Sequence, residues 1–462
     1  MNKLCSFTKS VVVAGAVIVV TAGVSPFLLP GSSDLKDLSE DQINQLVEKT
    51  FQTKCADCHK PGQTIPGLMN SLSGGLIQRD IDNAIRMFNM DTPYSLATLS
   101  KIEHSLEAGT MPPPAYTAVH WGTTMSGLEK SAMLQWVKNE RAKSTIAQLV
   151  DAAFATQSIQ PVPDQLAVNQ KKATVGELLF NDKRLSNDNT VACSTCHLLT
   201  KGGTDNLPVS VGVRGQKGGI NAPTVFNAVF HTIQFWDGRA KNLQEQAGGP
   251  PLNPVEMGYT HPSDWSKIID KLKADPELTA KFMKAYPQGY SAETITNAIA
   301  EYEKTLITPN SPFDKFLKGD SNAISAEAKE GYALFMKYGC QMCHTGVALG
   351  GQSFEFADLK GDFFEGRSMT NDDKGRMNFT KNKGDIHKFR VPTLRNVALT
   401  WPYMHDASAK NLHEAVVKMF RYQIGDKAPN KTDVNKIVSF LRTLTGELNG
   451  KPLQGQPVAD AK

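Results

Sequence analysis

The chain has 462 residues, with 50 Lys and Arg against 46 Asp and Glu and a net charge of +4. The length suggests about three domains. So small a charge, with no basic run, leaves no footprint for nucleic acid. Six of the 7 Cys fall in three identical motifs, so only Cys5 is left over and no disulfide framework can be built.

In chain order, Lys3 and Lys9 come first, followed by an uncharged, mostly apolar stretch at residues 11–29. As a helix it would span about 28 Å, close to the hydrocarbon thickness of a bilayer. Two readings compete. It is either an uncleaved anchor, with the lysines holding the N-terminus in the cytoplasm, or a signal peptide cut near Val20-Thr21-Ala22. The apolar run through residues 24–29 exceeds what a signal needs and favours the anchor, although Pro26 could end or kink that helix. Either way the bulk of the chain is exported, in a bacterium to the periplasm. The expected location is therefore the inner membrane with the folded domains on its outer side.

A polar stretch at 31–37 leads to a predicted helix over 38–49 with Ser39 as its N-cap. That helix delivers Cys55-Ala56-Asp57-Cys58-His59. In Cys-x-x-Cys-His, two thiols on one short turn reach the two vinyl groups of a haem, and the adjacent imidazole becomes the proximal iron ligand. The motif returns at Cys193-Ser194-Thr195-Cys196-His197 and at Cys340-Gln341-Met342-Cys343-His344. A redox dithiol or a zinc knuckle needs no His at the fifth place each time. Three covalently bound haems c are expected, with His59, His197 and His344 on their irons.

Helical periodicity continues over 81–90, 95–108 and 128–146. Between the last two, Met111 stands on a proline-stiffened loop and is the candidate sixth ligand opposite His59. A plain core Met is the alternative, and Met69, Met87, Met90 and Met125 are the other candidates. A linker at 157–164 marks the next boundary. A helix from 174, the second motif and a long Gly/Pro/Asn-rich region follow. Helical patterns then cover 262–306, 325–338, 412–420 and 431–444, with a break at 308–312. No strand-rich stretch occurs. The expected class is all-α with extensive loops: three cytochrome c-like haem domains in tandem (31–160, 161–308 and 309–462) behind an N-terminal transmembrane helix (1–30).

From about residue 167 to 448 the chain resembles the bacterial di-haem cytochrome c peroxidases. The resemblance rests on Cys193 through Leu207 (CSTCHLLTKGGTDNL), Asn221-Ala222-Pro223-Thr224, Gln234-Phe235-Trp236-Asp237-Gly238-Arg239, Glu245-Gln246-Ala247, Glu256-Met257 and Leu394-Arg395-Asn396-Val397. With the extra haem domain in front, the chain looks most like the tri-haem, membrane-anchored quinol peroxidases of that family. The resemblance implies that hydrogen peroxide is reduced at the haem of His197. Glu256 would shuttle the proton and Gln246 would orient the peroxide. His344 and Met419 would ligate the electron-transfer haem, Phe235 and Trp236 would lie between the two haems, and a Ca²⁺ would be held by Asn221 and by the carbonyls of Thr400 and Pro402.

One departure matters. Many di-haem relatives carry a His sixteen residues after the proximal His, which blocks the peroxidatic iron; here that place holds Val213. Valine cannot bind iron, so the site is expected to be open without reductive activation, unless His231 or Met257 substitutes. His104, His120, His261, His387 and His413 read as surface or hydrogen-bonded residues, and His405 as a neighbour of the Ca²⁺ segment. The electron donor is expected to be membrane quinol, with a small soluble cytochrome c as the alternative. A non-enzymatic electron conduit or haem sensor is a third reading, and dimerisation is left open.

Overall fold

The computed structural model describes residues 35–63, 74–117 and 122–455. The apolar stretch at 11–29, Cys5, Met69 and His120 lie outside the described residues. Among the described residues no helix is long and apolar enough to cross a membrane.

The first module comprises α1 (Glu40–Thr50), α2 (Leu76–Met87), α3 (Leu96–Glu107) and α4 (Gly127–Ala142). Ser39 caps α1 and Ser126 caps α4, and in each case the third helical residue, Gln42 or Glu129, bonds back to the cap. The apolar stripes of α1, α3 and α4 meet in a core built on Val47, Leu99, Met133 and Val137.

The second module holds α5 (Gln170–Phe180), α6 (Leu243–Ala247), α7 (Trp265–Lys273), α8 (Pro276–Ala285) and α9 (Ala292–Glu303). The expected helical run over 262–306 is thus three helices. It breaks at Asp275, which caps α8 with Pro276 at its first position, and again before Ser291, which caps α9. The third module holds α10 (Ala326–Lys337), α11 (Leu412–Met419) and α12 (Lys431–Arg442). Strands do occur, as two short antiparallel pairs: β1 (Phe354–Phe356) with β2 (Lys388–Arg390), and β3 (Glu447–Leu448) with β4 (Lys451–Pro452). They pair over so few residues that alternation leaves no sequence signal.

The second and third modules are versions of one plan. Each has a helix before its haem motif that crosses a later helix at a glycine. A Cβ on Gly176 of α5 would lie 1.9 Å from the Ala298 carbonyl oxygen of α9, and one on Gly331 of α10 would lie 1.8 Å from that of Lys436 on α12. The loop Pro223-Thr224-Val225-Phe226-Asn227 repeats as Pro392-Thr393-Leu394-Arg395-Asn396, with both Asn left-handed at φ 60° and 61°. Gln234 through Ala247 matches Tyr403 through Val416, with isolated bridges at Gln234–Ala240 and Tyr403–Ala409 and helices capped by Asn242 and Asn411. The two asparagines meet at Thr308, whose hydroxyl oxygen accepts from Asn227 Nδ2 at 2.7 Å and from Asn396 Nδ2 at 2.9 Å.

The modules are joined by buried polar contacts. Arg395, fully buried, reaches Asp314 at 2.8 Å, the Val347 carbonyl at 2.8 Å and the Gln160 carbonyl at 2.7 Å. The first module docks through α3. Ser100 bonds Thr345 at 2.8 Å, Lys101 pairs with Glu355 at 2.7 Å and His104 meets Gln341 at 3.0 Å. His104 is therefore a domain-contact residue, and His387 pairs with Asp358 at 2.7 Å. This contact places the first haem motif beside the third.

Candidate active site

The three motif histidines share one local arrangement. Nδ1 of His59 lies 3.0 Å from the Phe88 carbonyl oxygen, that of His197 lies 3.2 Å from Gly203 O, and that of His344 lies 3.1 Å from Leu349 O. A ring whose Nδ1–H donates to a carbonyl presents Nε2 as a fixed, unprotonated ligand. Burial lowers the pKa of all three, that of His344 to about 4, so the neutral form persists. Burial also pushes the Cys55, Cys193, Cys340 and Cys343 thiols up to about 12. Cys58 and Cys196 are raised for the same reason.

Cys193, Cys196 and His197 open onto a cavity with about 1570 Å³ of empty space, part of it open to solvent. Gln246 and Glu256 stand on its wall, and Phe235, Trp236 and Asn221 line it toward the third module. The structure therefore gathers these residues, drawn from a span of more than sixty positions, on one cavity. The sixth-ligand candidates stand elsewhere. Met111 is 41 % exposed on its loop, and Met419 is the last residue of α11.

Glu256 is half-buried, and Asn253 Nδ2 donates to its Oε1 at 2.8 Å. Burial raises its pKa, while the Arg239 guanidinium and the Asn253 amide oppose the rise. Arg239 lies over the Phe235 ring at 3.5 Å and bonds Asp237 at 3.0 Å. Trp236 Nε1 donates to the Asn221 carbonyl at 2.8 Å, and Phe235 is held at φ 66°. Val213 does not line the cavity. It is buried in the module's core, and its N–H donates to the Glu256 carbonyl at 3.0 Å. Gly212 is the residue at the wall, where a Cβ would lie 1.9 Å from the Val255 carbonyl oxygen. The place where a blocking His was sought thus holds a turn clamped to the Glu256 segment.

Where a Ca²⁺ is expected, Asn221 Nδ2 is committed to the Leu207 carbonyl at 2.8 Å and Asn221 N–H to His405 O at 2.9 Å. Asn206 Nδ2 grips the carbonyls of Leu399 at 3.0 Å and Trp401 at 2.9 Å. Asn221 and the segment carrying Thr400 and Pro402 are thereby neighbours. His405 bonds Asp373 at 2.9 Å and stacks on Phe389 at 4.1 Å.

Two cavity residues carried no sequence signal. Arg390 of β2 is reached only through long-range strand pairing. Glu303, at the end of α9, is 6 % exposed, and burial pushes its pKa up to about 8. Its Oε2 has no partner. A carboxyl whose folded pKa lies above its unfolded value contributes stability below the unfolded pKa and loses it as pH rises to about 8. Glu303→Gln is therefore expected to raise the melting temperature at pH 8 and to leave it nearly unchanged at pH 4.5. A gain independent of pH, measured by scanning calorimetry, would point instead to a packing effect.

The cavity fits a haem. Two thiols and a buried neutral imidazole share its wall, and Arg390, which also lines it, has no carboxylate partner among the described residues. The family model for di-haem cytochrome c peroxidase matches residues 170–322, and that for a haem-binding domain matches residues 24–139. Cytochrome c peroxidase Ccp of Escherichia coli (strain K12) is 44 % identical over 425 residues, covering 90 % of each chain. Cytochrome c551 peroxidase of Nitrosomonas europaea is 45 % identical over 295 residues, 63 % of this chain and 85 % of its own. A crystal structure of a MauG-like protein associated with microbial copper homeostasis superposes with a TM-score of 0.54 at 26 % identity, over 63 % of this chain and 94 % of that one. The chain belongs to the di-haem cytochrome c peroxidase family and is a haem peroxidase.

Proposed function

We propose that the chain is a three-haem, membrane-anchored quinol peroxidase that reduces hydrogen peroxide to water on the periplasmic side of the inner membrane. The observation that carries the peroxide chemistry is the cavity shared by His197, Gln246 and Glu256; Val213 is buried behind its wall, and His231 and Met257 are the other His and Met side chains that line it. Bound haem would supply the iron at which the O–O bond is cleaved and the electrons that cleavage requires.

The residues do the rest. Gln246 orients the peroxide with its amide. Glu256, half-buried with its pKa raised, accepts the proton from the near oxygen and returns it to the leaving oxygen. Arg239 opposes that rise in pKa. Arg239→Gln is therefore expected to move the acid limb of the kcat/KM profile to higher pH, and a limb that stays or moves down would contradict the assignment.

His59 and Met111 would hold one haem and His344 and Met419 another, and those haems would supply an electron path across the α3 contact. Phe235 and Trp236, which line the cavity, would stand on that path. The contacts of Ser100, Lys101 and His104 support that path, because they tie the first module to the third motif. The module limits follow as 31–160, 161–308 and 309–462 behind the anchor at 1–30. A Ca²⁺ on Asn221 and the Thr400 and Pro402 carbonyls would lock the second module to the third, so a chelator should lower both activity and melting temperature.

The names of the relatives favour a second donor, a small soluble cytochrome c. Turnover in detergent with a quinol analogue, set against turnover with reduced cytochrome c, decides between the two. A rate seen only with the cytochrome rejects the quinol reading. A resting spectrum with a wholly six-coordinate, low-spin peroxidatic haem would reject the open site.

A further inference from the structure

His231 and Arg390 line the same cavity as His197, at the side where the loop after the third haem motif meets it. Arg390 is 2 % exposed, yet no carboxylate pairs with it among the described residues. Its Nε donates to the Phe235 carbonyl at 2.9 Å and its Nη1 to His231 Nδ1 at 3.2 Å. Since guanidinium only donates, His231 Nδ1 must accept, and the ring proton sits on Nε2. That Nε2 is buried and has no hydrogen-bond partner. Gln234 is the neighbouring polar side chain: its amide nitrogen is committed to the Ala228 carbonyl at 2.9 Å, and the side chain holds the His231 pKa up against burial and the Arg390 charge, which lower it.

A buried cation without an anion and a buried N–H whose hydrogen bond is not closed, side by side, are each costly alone. Burial without a counter-charge pulls even the Arg390 pKa down to about 10. One carboxylate in the cavity would satisfy both groups. The surroundings are built to hold the pair in place. Arg390 N–H donates to the Trp236 carbonyl at 2.7 Å, Gln352 Nε2 donates to the Phe230 carbonyl at 2.6 Å, and a Cβ on Gly351 would lie 2.2 Å from His231 Cδ2. The segments carrying His344, Trp236 and the cavity thus converge on these two side chains.

We propose that His231 Nε2–H and the Arg390 guanidinium form a carboxylate clamp for a haem propionate at the junction of the second and third modules. The clamp rests on the reading of the cavity as a haem site. It assigns His231 a role other than iron ligation and makes both residues positioning residues. A cation fixed beside a propionate favours the reduced iron, because the extra electron lowers the local charge that the cation faces. The guanidinium also holds the Phe235 carbonyl and the Arg390 backbone N–H holds that of Trp236, so the same residue fixes the aromatic pair at the cavity wall.

The test is spectroelectrochemical titration of the purified, haem-loaded full chain. Arg390→Gln is expected to shift the midpoint of one haem negative by at least a tenfold change in its reduction equilibrium, about 59 mV for one electron, and Arg390→Lys should restore most of the shift. Unchanged midpoints in Arg390→Gln, or a shift that Lys does not restore, would overturn the clamp. If Arg390→Gln fails to load haem, His231→Leu decides, with a smaller negative shift expected. No shift there, or a six-coordinate haem turned five-coordinate, would overturn it. Haem counting in the parent by pyridine haemochrome checks the three-haem reading separately.

Discussion

Replacing Glu256 by Gln is expected to slow peroxide reduction by about 10²–10⁴-fold, the usual contribution of a positioned acid/base, or roughly 3–5 kcal/mol of barrier. The amide keeps the shape of the side chain and an oxygen for Asn253 Nδ2, which now donates to Glu256 Oε1 at 2.8 Å. It cannot take up the proton. The Val213 N–H bond is to the backbone carbonyl and survives the substitution, so the turn that carries the residue stays in place. The loss should therefore fall on turnover, with resting spectrum and haem content unaltered. Stopped-flow peroxide consumption checks it, and full activity in Glu256→Gln would return the cavity to a non-catalytic reading.

The second large effect lies far from the chemistry. Arg395→Leu is expected to cost about 3–5 kcal/mol of stability, as breaking one side of a buried pair generally does. Asp314 would keep the Val162 N–H at 3.1 Å and the Ser311 hydroxyl at 2.8 Å but lose the one cation that pairs with it among the described residues. The carbonyls of Val347 and Gln160 would lose their guanidinium donors as well. The Asp314→Leu, Arg395→Leu double variant should recover part of the loss, because no charge is then left unpaired. Urea unfolding followed by circular dichroism measures both. A single variant as stable as the parent would show that water reaches the site.

Much of this architecture is legible in local chemistry. Ser39, Ser95, Ser126 and Ser325 each begin a helix where capping residue and apolar period agree, and those helices fall within a few residues of expectation. α2 begins earlier than expected, at Leu76, because the left-handed Gly75 starts it, and it ends at Met87 before extended Phe88. The haem motifs declare themselves because attachment chemistry fixes their spacing. What cannot be read locally depends on distant partners. Arg390 is a plain basic residue until β2 pairs with β1 and carries it to the cavity. Glu303 looks like an ordinary helix carboxylate until α9 turns it inward. Val213 shows by its type only that it offers iron no ligand; its part in fixing the Glu256 segment is a backbone bond that no side chain announces.

The duplication also bears on the open site proposed for the second module. Where α11 runs on to Met419, the matching segment breaks after α6 at Gly248-Gly249-Pro250-Pro251, so Pro250 occupies the place of the Met. Proline ends the helix and offers iron no ligand.

Thr308 carries a last consequence. Its hydroxyl is 1 % exposed and is shared by Asn227 of one half and Asn396 of the other, and its N–H donates to Asn227 Oδ1 at 2.9 Å. Neither asparagine turn can come apart without stranding the buried amide of its twin. The two halves are therefore expected to melt together. Denaturant should release both haem environments in a single cooperative step, with Soret and far-ultraviolet signals tracing one curve. Thr308→Val, keeping the volume but not the hydroxyl, is the substitution that would let one half loosen before the other.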